Sequence, residues 1–94
     1  MRDEQFNCAA LSLKALSHPI RLKILCTLGK GQLSVRDLAA TVGSSQSNVS
    51  HHLSTLRDKG MLVSTKEAKN VFYRLRDNRM LSMIEMLNHV FCEN

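Results

Sequence analysis

Residues 45–60 read Ser45-Gln46-Ser47-Asn48-Val49-Ser50-His51-His52-Leu53-Ser54-Thr55-Leu56-Arg57-Asp58-Lys59-Gly60. Val49, Leu53 and Leu56 recur at the spacing of one helical face, so the stretch predicts a helix with a narrow apolar stripe. Ser45 or Ser44 can cap its start, and Gly60 can end it. With the stripe turned inward, Ser47, Asn48, His51, Ser54 and Thr55 turn outward, and Gln46 stands near the leading edge. A plain solvated face usually carries Lys and Glu, which favour helix. Neither occurs here before Asp58. Short side chains that both donate and accept hydrogen bonds take their place, and no acid in the first two turns would repel a polyanion. His52 falls beside the apolar stripe and reads as structural.

Upstream, Ser34-Val35-Arg36-Asp37 offers a capped start with an acid three residues after the Ser, and a short helix runs through Leu38 and Ala39 to about Thr41. Gly43 turns the chain between the two helices. Downstream, Met61 to Lys66 and Val71 to Arg76 are strand-like, with Val71, Tyr73 and Leu75 alternating against Phe72, Arg74 and Arg76. Lys66 to Asn70 forms the hairpin tip. Two helices joined by a short Gly turn and followed by a basic hairpin give the order of a winged helix-turn-helix. The second helix of such a pair lies in the major groove and meets base edges. The candidate DNA contacts are therefore Gln46, Ser47, Asn48, His51 and Ser54 on that helix, with Lys66, Lys69 and Asn70 on the wing.

The flanks are helical. Phe6, Ala9, Ala10, Leu13 and Leu16 set a first helix from roughly Glu4. Ser17-His18-Pro19 punctuates, with Ser17 able to cap and Pro19 suited to a first helical turn. A second helix follows through Ile20, Leu22, Leu25 and Leu28, and stops at Gly29-Lys30-Gly31, whose glycines can take positive φ. The last helix, about Asn78 to Phe91, is apolar on two sides. Met80, Ile84, Leu87 and Phe91 form one stripe, and Met83, Met86 and Val90 form a second. One stripe serves the domain's own core, and the other calls for a partner, most economically a second copy of the chain. The fold class expected is mainly α with a two-stranded β-wing, with the second stripe of the last helix as its dimer surface.

Ninety-four residues fit one domain, 1–94, and leave no room for a two-domain enzyme cleft. No apolar run approaches the ~18 residues of a membrane span, and the start opens onto no signal-peptide stretch, so a cytosolic, membrane-free placement is expected. Net charge is +5, with Lys66, Lys69, Arg74 and Arg76 set against Glu67 alone in 61–76, which suggests a polyanionic partner. Aromatics total 4% with no Trp, too few to stack unpaired bases, so duplex DNA is the expected nucleic acid. There is no Cys-x-x-Cys, phosphate loop or paired-carboxylate site, so an enzyme is not expected. A small helical interaction module that never touches DNA is the competing class, opposed by the polar outward face and the basic hairpin.

Four segments together resemble the ArsR/SmtB repressors: Ser17-His18-Pro19-Ile20-Arg21-Leu22-Lys23-Ile24-Leu25, Leu33-Ser34-Val35-Arg36-Asp37-Leu38, Ser45-Gln46-Ser47-Asn48-Val49-Ser50-His51-His52-Leu53, and Leu56-Arg57-Asp58-Lys59-Gly60. The resemblance covers nearly the whole chain. It implies a dimeric winged-helix repressor dimerising through its first and last helices, and the two-sided last helix with the groove-facing fourth helix then predicts a homodimer on double-stranded operator DNA with inverted-repeat half-sites. The family's sensors of arsenic, cadmium and lead carry third-helix cysteines; here those places read Ser34 and Arg36, and a hydroxyl and a cation cannot replace thiolates. Its zinc sensors place an Asp-x-His and a His-x-x-Glu on the last helix. Asp77 and Glu93 match, but Arg79 and Val90 stand where the histidines belong, and His89 is one residue off, about 100° around the helix. No metal site and no cofactor are expected.

Three cysteines, Cys8, Cys26 and Cys92, lie far apart, an unpaired number that argues for reduced thiols. Cys26 and Cys92, with Glu67-Ala68-Lys69-Asn70-Val71-Phe72-Tyr73, resemble the thiol-switch branch of the family, the BigR, SqrR and HlyU type. That likeness implies that reactive sulfur species or oxidants join the two thiols in a di- or polysulfide and release DNA. Read from the residues alone, Cys26 is a small hydrophobe packed in a core, and Cys92 a chance residue at a fraying end. Cys8 reads as a packing residue, or as a recruit with Cys26 or Cys92 to a soft-metal site, the alternative mode of sensing.

Overall fold

The computed structural model describes residues 1–93. Its elements in chain order are α1 (Asp3–Leu16), α2 (Pro19–Leu28), β1 (Leu33–Ser34), α3 (Val35–Val42), α4 (Gln46–Asp58), β2 (Leu62–Glu67), β3 (Asn70–Leu75) and α5 (Arg79–Phe91). Local chemistry sets most of the boundaries. The Ser34 hydroxyl accepts the Asp37 N–H at 3.2 Å to start α3, and the Ser45 hydroxyl accepts the Asn48 N–H at 3.1 Å to start α4. Between them Gly43 takes φ +73°, the left-handed turn that a Cβ would resist.

The core forms where α2, α3 and α4 meet the hairpin. Ile24, Leu25, Leu38, Val49, Leu53, Leu56 and Leu62 are fully buried there, each contributing about 1.5–3 kcal/mol of apolar burial. Tyr73 and Leu75 seal it from β3, while Arg74 between them points out, the alternation that their spacing predicts.

Several details differ from the sequence reading. The sheet has three strands in the order β1-β3-β2, all antiparallel, because Leu33 and Ser34 pair with Tyr73 and Phe72. This strand is two residues long and has no period to detect. The hairpin is tighter than its composition suggests: β2 and β3 pair as far as Glu67 and Asn70, leaving only Ala68 and Lys69 as the turn. Ser17 does not cap α2. Its hydroxyl donates back to the Lys14 carbonyl at 2.8 Å, closing α1, and His18 occupies the N-cap of α2 with Pro19 following at the first turn. Gly29 keeps a right-handed φ of −60°, and only Gly31 uses the positive region.

The last helix is less buried than a core stripe requires. Met80, Leu81 and Ile84 pack half-buried against the core, whereas Leu87 is 45% and Phe91 79% exposed. The inner stripe thus runs through Leu81, which the sequence reading missed, and stops at Ile84. On α1 only Ala15 and Leu16 are buried, and Phe6, Leu11 and Leu13 face outward. Cys8, read as packing, is exposed on this helix. An apolar groove of 340 Å³ lined by Leu13, Leu16, Leu22, Met83, Ile84 and Leu87 runs between α1, α2 and α5. No helix among the described residues is long and apolar enough to cross a membrane.

Candidate nucleic-acid interface and thiol pair

Because Val49, Leu53 and Leu56 are fully buried, the opposite side of α4 must face away from the core. Gln46, Ser47, Asn48 and His51 are exposed on it; Ser54, also read as outward, is half-buried, as is Thr55. The Asn48 side-chain N–H donates to the Ser44 hydroxyl at 2.8 Å, which fixes the amide and leaves its oxygen free to accept.

Lys66, Lys69 and Asn70 are exposed on the wing. A cleft of 520 Å³ joins the wing to the helix pair, lined by Ser34, Arg36 and Asp37 of α3 and its cap, Gln46 of α4, and Lys69, Asn70 and Phe72. The fold thereby brings Gln46, Lys69 and Asn70 onto one surface. Arg36 and Phe72 share it without having been singled out, since nothing in the sequence spacing places α3 beside the hairpin. The missing signal is the β1 pairing.

His52 is buried at 5% exposure, as its place beside the stripe suggested. Its Nδ1 accepts the Arg21 Nε–H at 3.0 Å, and the His18 ring lies tilted against it with centroids 4.3 Å apart. Burial, then the neighbouring His18, Arg21 and His51, hold the imidazole below the ordinary histidine range, so it is neutral.

Cys26 is exposed and not a core residue. It opens onto a pocket of 460 Å³ with Thr27, Lys30, Gln32, Leu33 and Thr41. Partial shielding from water pushes its thiol pKa up, and the Glu85 carboxylate of α5 adds to the shift. Cys92 is exposed at the C-cap of α5, its N–H donating to the Asn88 carbonyl at 2.9 Å. Helices α2 and α5 run antiparallel, since Gly29 meets Leu81, Cys26 meets Glu85, and Leu22 shares a groove with Ile84 and Leu87. Cys92 lies beyond Glu85 by seven residues, roughly 10 Å along the axis at about 1.5 Å per residue.

The residues matching a last-helix metal site are otherwise engaged. Arg79 Nε donates to Asp77 Oδ1 at 3.1 Å and Nη2 to Oδ2 at 2.7 Å, which holds that carboxyl down to about 2. His89 Nδ1 meets Glu93 Oε2 at 2.6 Å, one turn along the helix.

A helix pair with a polar outer face, followed by a basic hairpin that shares a cleft with it, defines a winged helix-turn-helix DNA-binding protein. Residues 18–64 match the family model described as "Bacterial regulatory protein, arsR family". A biofilm growth-associated repressor of Agrobacterium fabrum is 41% identical over 83 residues, 88% of this chain and 71% of that protein. The transcriptional activator HlyU of Vibrio cholerae is 41% identical over 85 residues, 90% of this chain and 79% of that protein. Its reduced structure superposes with a TM-score of 0.83 at 38% identity, covering 97% of this chain and 96% of that one. The crystal structure of the transcriptional repressor BigR from Xylella fastidiosa superposes with a TM-score of 0.80 at 34% identity over 100% of both chains. The chain belongs to the arsR family of bacterial regulatory proteins, and it is a DNA-binding transcriptional regulator and not an enzyme.

Proposed function

We propose that residues 1–94 form one DNA-binding domain that works in the cytoplasm as a homodimeric repressor of an inverted-repeat operator. Reactive sulfur species or oxidants switch off its operator affinity by joining Cys26 and Cys92 in a di- or polysulfide. Gln46, Ser47, Asn48, His51 and Ser54 read base edges in the major groove, while Lys66, Lys69 and Asn70 hold the backbone from the wing. The exposed apolar side chains of α1 and α5, with the 340 Å³ groove between those helices, support a second copy as the cover for that surface. Likeness to regulators called repressor and, for one, activator leaves the direction of control to this reading.

The observation that carries the sensing half is the placement of the two thiols. Cys26 is exposed where α2 meets α5, and Cys92 is exposed at the end of α5, so a link between them would pull on a helix of the proposed dimer surface. The chemistry balances with a polysulfide as donor. One of the two thiolates attacks an internal sulfane sulfur, keeps part of the sulfur chain and releases the remainder as hydrosulfide or a shorter polysulfide. The other thiolate then attacks that chain, expels hydrosulfide and closes the bridge. A direct disulfide needs Cα atoms within about 7 Å, a limit that inserted sulfurs relax, so polysulfide would close a pair set wider than this where peroxide would not. Metal induction has less support: Arg79 holds the Asp77 carboxylate, and Ser34 caps α3 where a thiolate would be needed. Operator binding measured before and after polysulfide, with intact mass read on the same samples, tests the proposal.

A further inference from the structure

His52 is the one buried polar side chain among the described residues, and reading of DNA by the outer face of α4 makes no use of it. Its Nδ1 accepts from Arg21, so that nitrogen carries no proton and the ring's single proton sits on Nε2. The same guanidinium donates through Nη1 to the Ala15 carbonyl at 3.1 Å, in the last turn of α1. One arginine of α2 thus ties the end of α1 to the middle of α4, directly behind His51 on the outer face. We propose that Arg21 and His52 are positioning residues that hold α4 in its DNA-binding orientation relative to α1, and that protonation of His52 opens this joint.

The physical reason is that an imidazolium has no acceptor. Adding a proton to Nδ1 sets it against an Arg21 N–H that is itself always charged, so the hydrogen bond is replaced by two donors and two like charges in a site shielded from water. The groups facing His52 give no relief. They are His18 and Arg21 from the start of α2 and His51 from its own helix, with the Ala15 carbonyl reached through Arg21. None is a carboxylate. Burial acts in the same direction as these neighbours, and the neutral ring is favoured in the folded chain. The joint is therefore complete above the ordinary histidine value of about 6.5 and is lost as pH falls through the lower value that the folded chain imposes on His52.

The sign of the effect separates this inference from plain electrostatics. Acidification only adds positive charge to the chain, and charge alone would tighten binding to any duplex. An opening joint weakens operator binding instead. The experiment compares operator and random duplex affinity at about pH 7.5 and about pH 5.5, at one ionic strength, for the wild type and for His52→Asn. The asparagine amide oxygen stands near the Nδ1 position and accepts from Arg21 without titrating. Wild-type operator affinity should fall about threefold or more in acid, inside the roughly tenfold ceiling that a single proton sets at pH 5.5, while random duplex binding holds or tightens, and His52→Asn should keep its operator affinity at both pH values. Histidine imidazole signals followed by NMR in the wild type give a second readout, in which the loss of operator binding should track His52. Acid-tightened operator binding, an acid loss that survives in His52→Asn, or a loss that tracks His18, His51 or His89 would overturn the proposal. Should His52→Asn fail to fold, the wild-type titration alone decides.

Discussion

Leu81 of α5 rests on the space that Gly29 leaves open at the end of α2: a Cβ on Gly29 would lie 2.8 Å from Leu81 Cδ2 and closer still to Cδ1. The Gly29 backbone is right-handed, so its lack of a side chain serves this approach and not the turn. The contact sets how closely α5 lies on the core, and therefore the height at which Met83, Met86 and Val90 are presented.

Gly29→Ala should consequently cost about 1–2 kcal/mol of stability, as overpacking does, although alanine is the better helix former. In a Leu81→Ala background the same change should be neutral or stabilising. Denaturant unfolding of the four proteins of this cycle gives the coupling directly, and equal effects in both backgrounds would contradict the contact.

The surface of α4 and the wing should separate into two kinds of residue. Ser47→Ala or His51→Ala should narrow the gap between operator and random duplex, each by about 1–3 kcal/mol. Lys66→Ala or Lys69→Ala should weaken both duplexes alike and flatten the salt dependence by about one unit of slope per lost phosphate contact. Titrations across a salt series check this, and a lysine variant that alters only operator preference would reverse the assignment.

The Cys26 thiol should react slowly at neutral pH, because burial and then Glu85 favour its protonated form. Its alkylation rate should climb with pH and should rise in Glu85→Gln, where the neighbouring negative charge is gone. Rates measured by mass spectrometry with iodoacetamide check both. An unchanged or slower rate in Glu85→Gln would show that the carboxylate does not act on this thiol.

The helix-turn-helix was legible because its signals are local and strong: the i, i+4, i+7 spacing of Val49, Leu53 and Leu56, the Ser34 and Ser45 caps, and Gly43 between them. The order of elements followed from those signals, and so did the outward placement of Gln46, Ser47, Asn48 and His51. What escaped was decided at a distance. A two-residue strand exists only because β3 offers Tyr73 and Phe72 to pair with, and that pairing brings Arg36 to the wing. Leu81 was overlooked because a helix apolar on two sides has no unique inward stripe, and a contact with a glycine one helix away chooses it. Ser17 had two carbonyl and amide neighbours within reach, and its hydroxyl went to the helix behind it. The role of His52 was legible as structural, but its acceptor bond to Arg21 could not be read from spacing alone.

Operator affinity with intact mass, before and after polysulfide, tests Cys26 and Cys92 as the switch most directly, in the wild type and in Cys26→Ser, Cys92→Ser and the double variant. The wild type should lose about tenfold or more in operator affinity and gain mass as sulfur bridging the two thiols, and Cys8→Ser should behave the same way. Each serine variant should bind operator like the reduced wild type and hold it through treatment. Release of DNA that persists in the double variant would contradict the account.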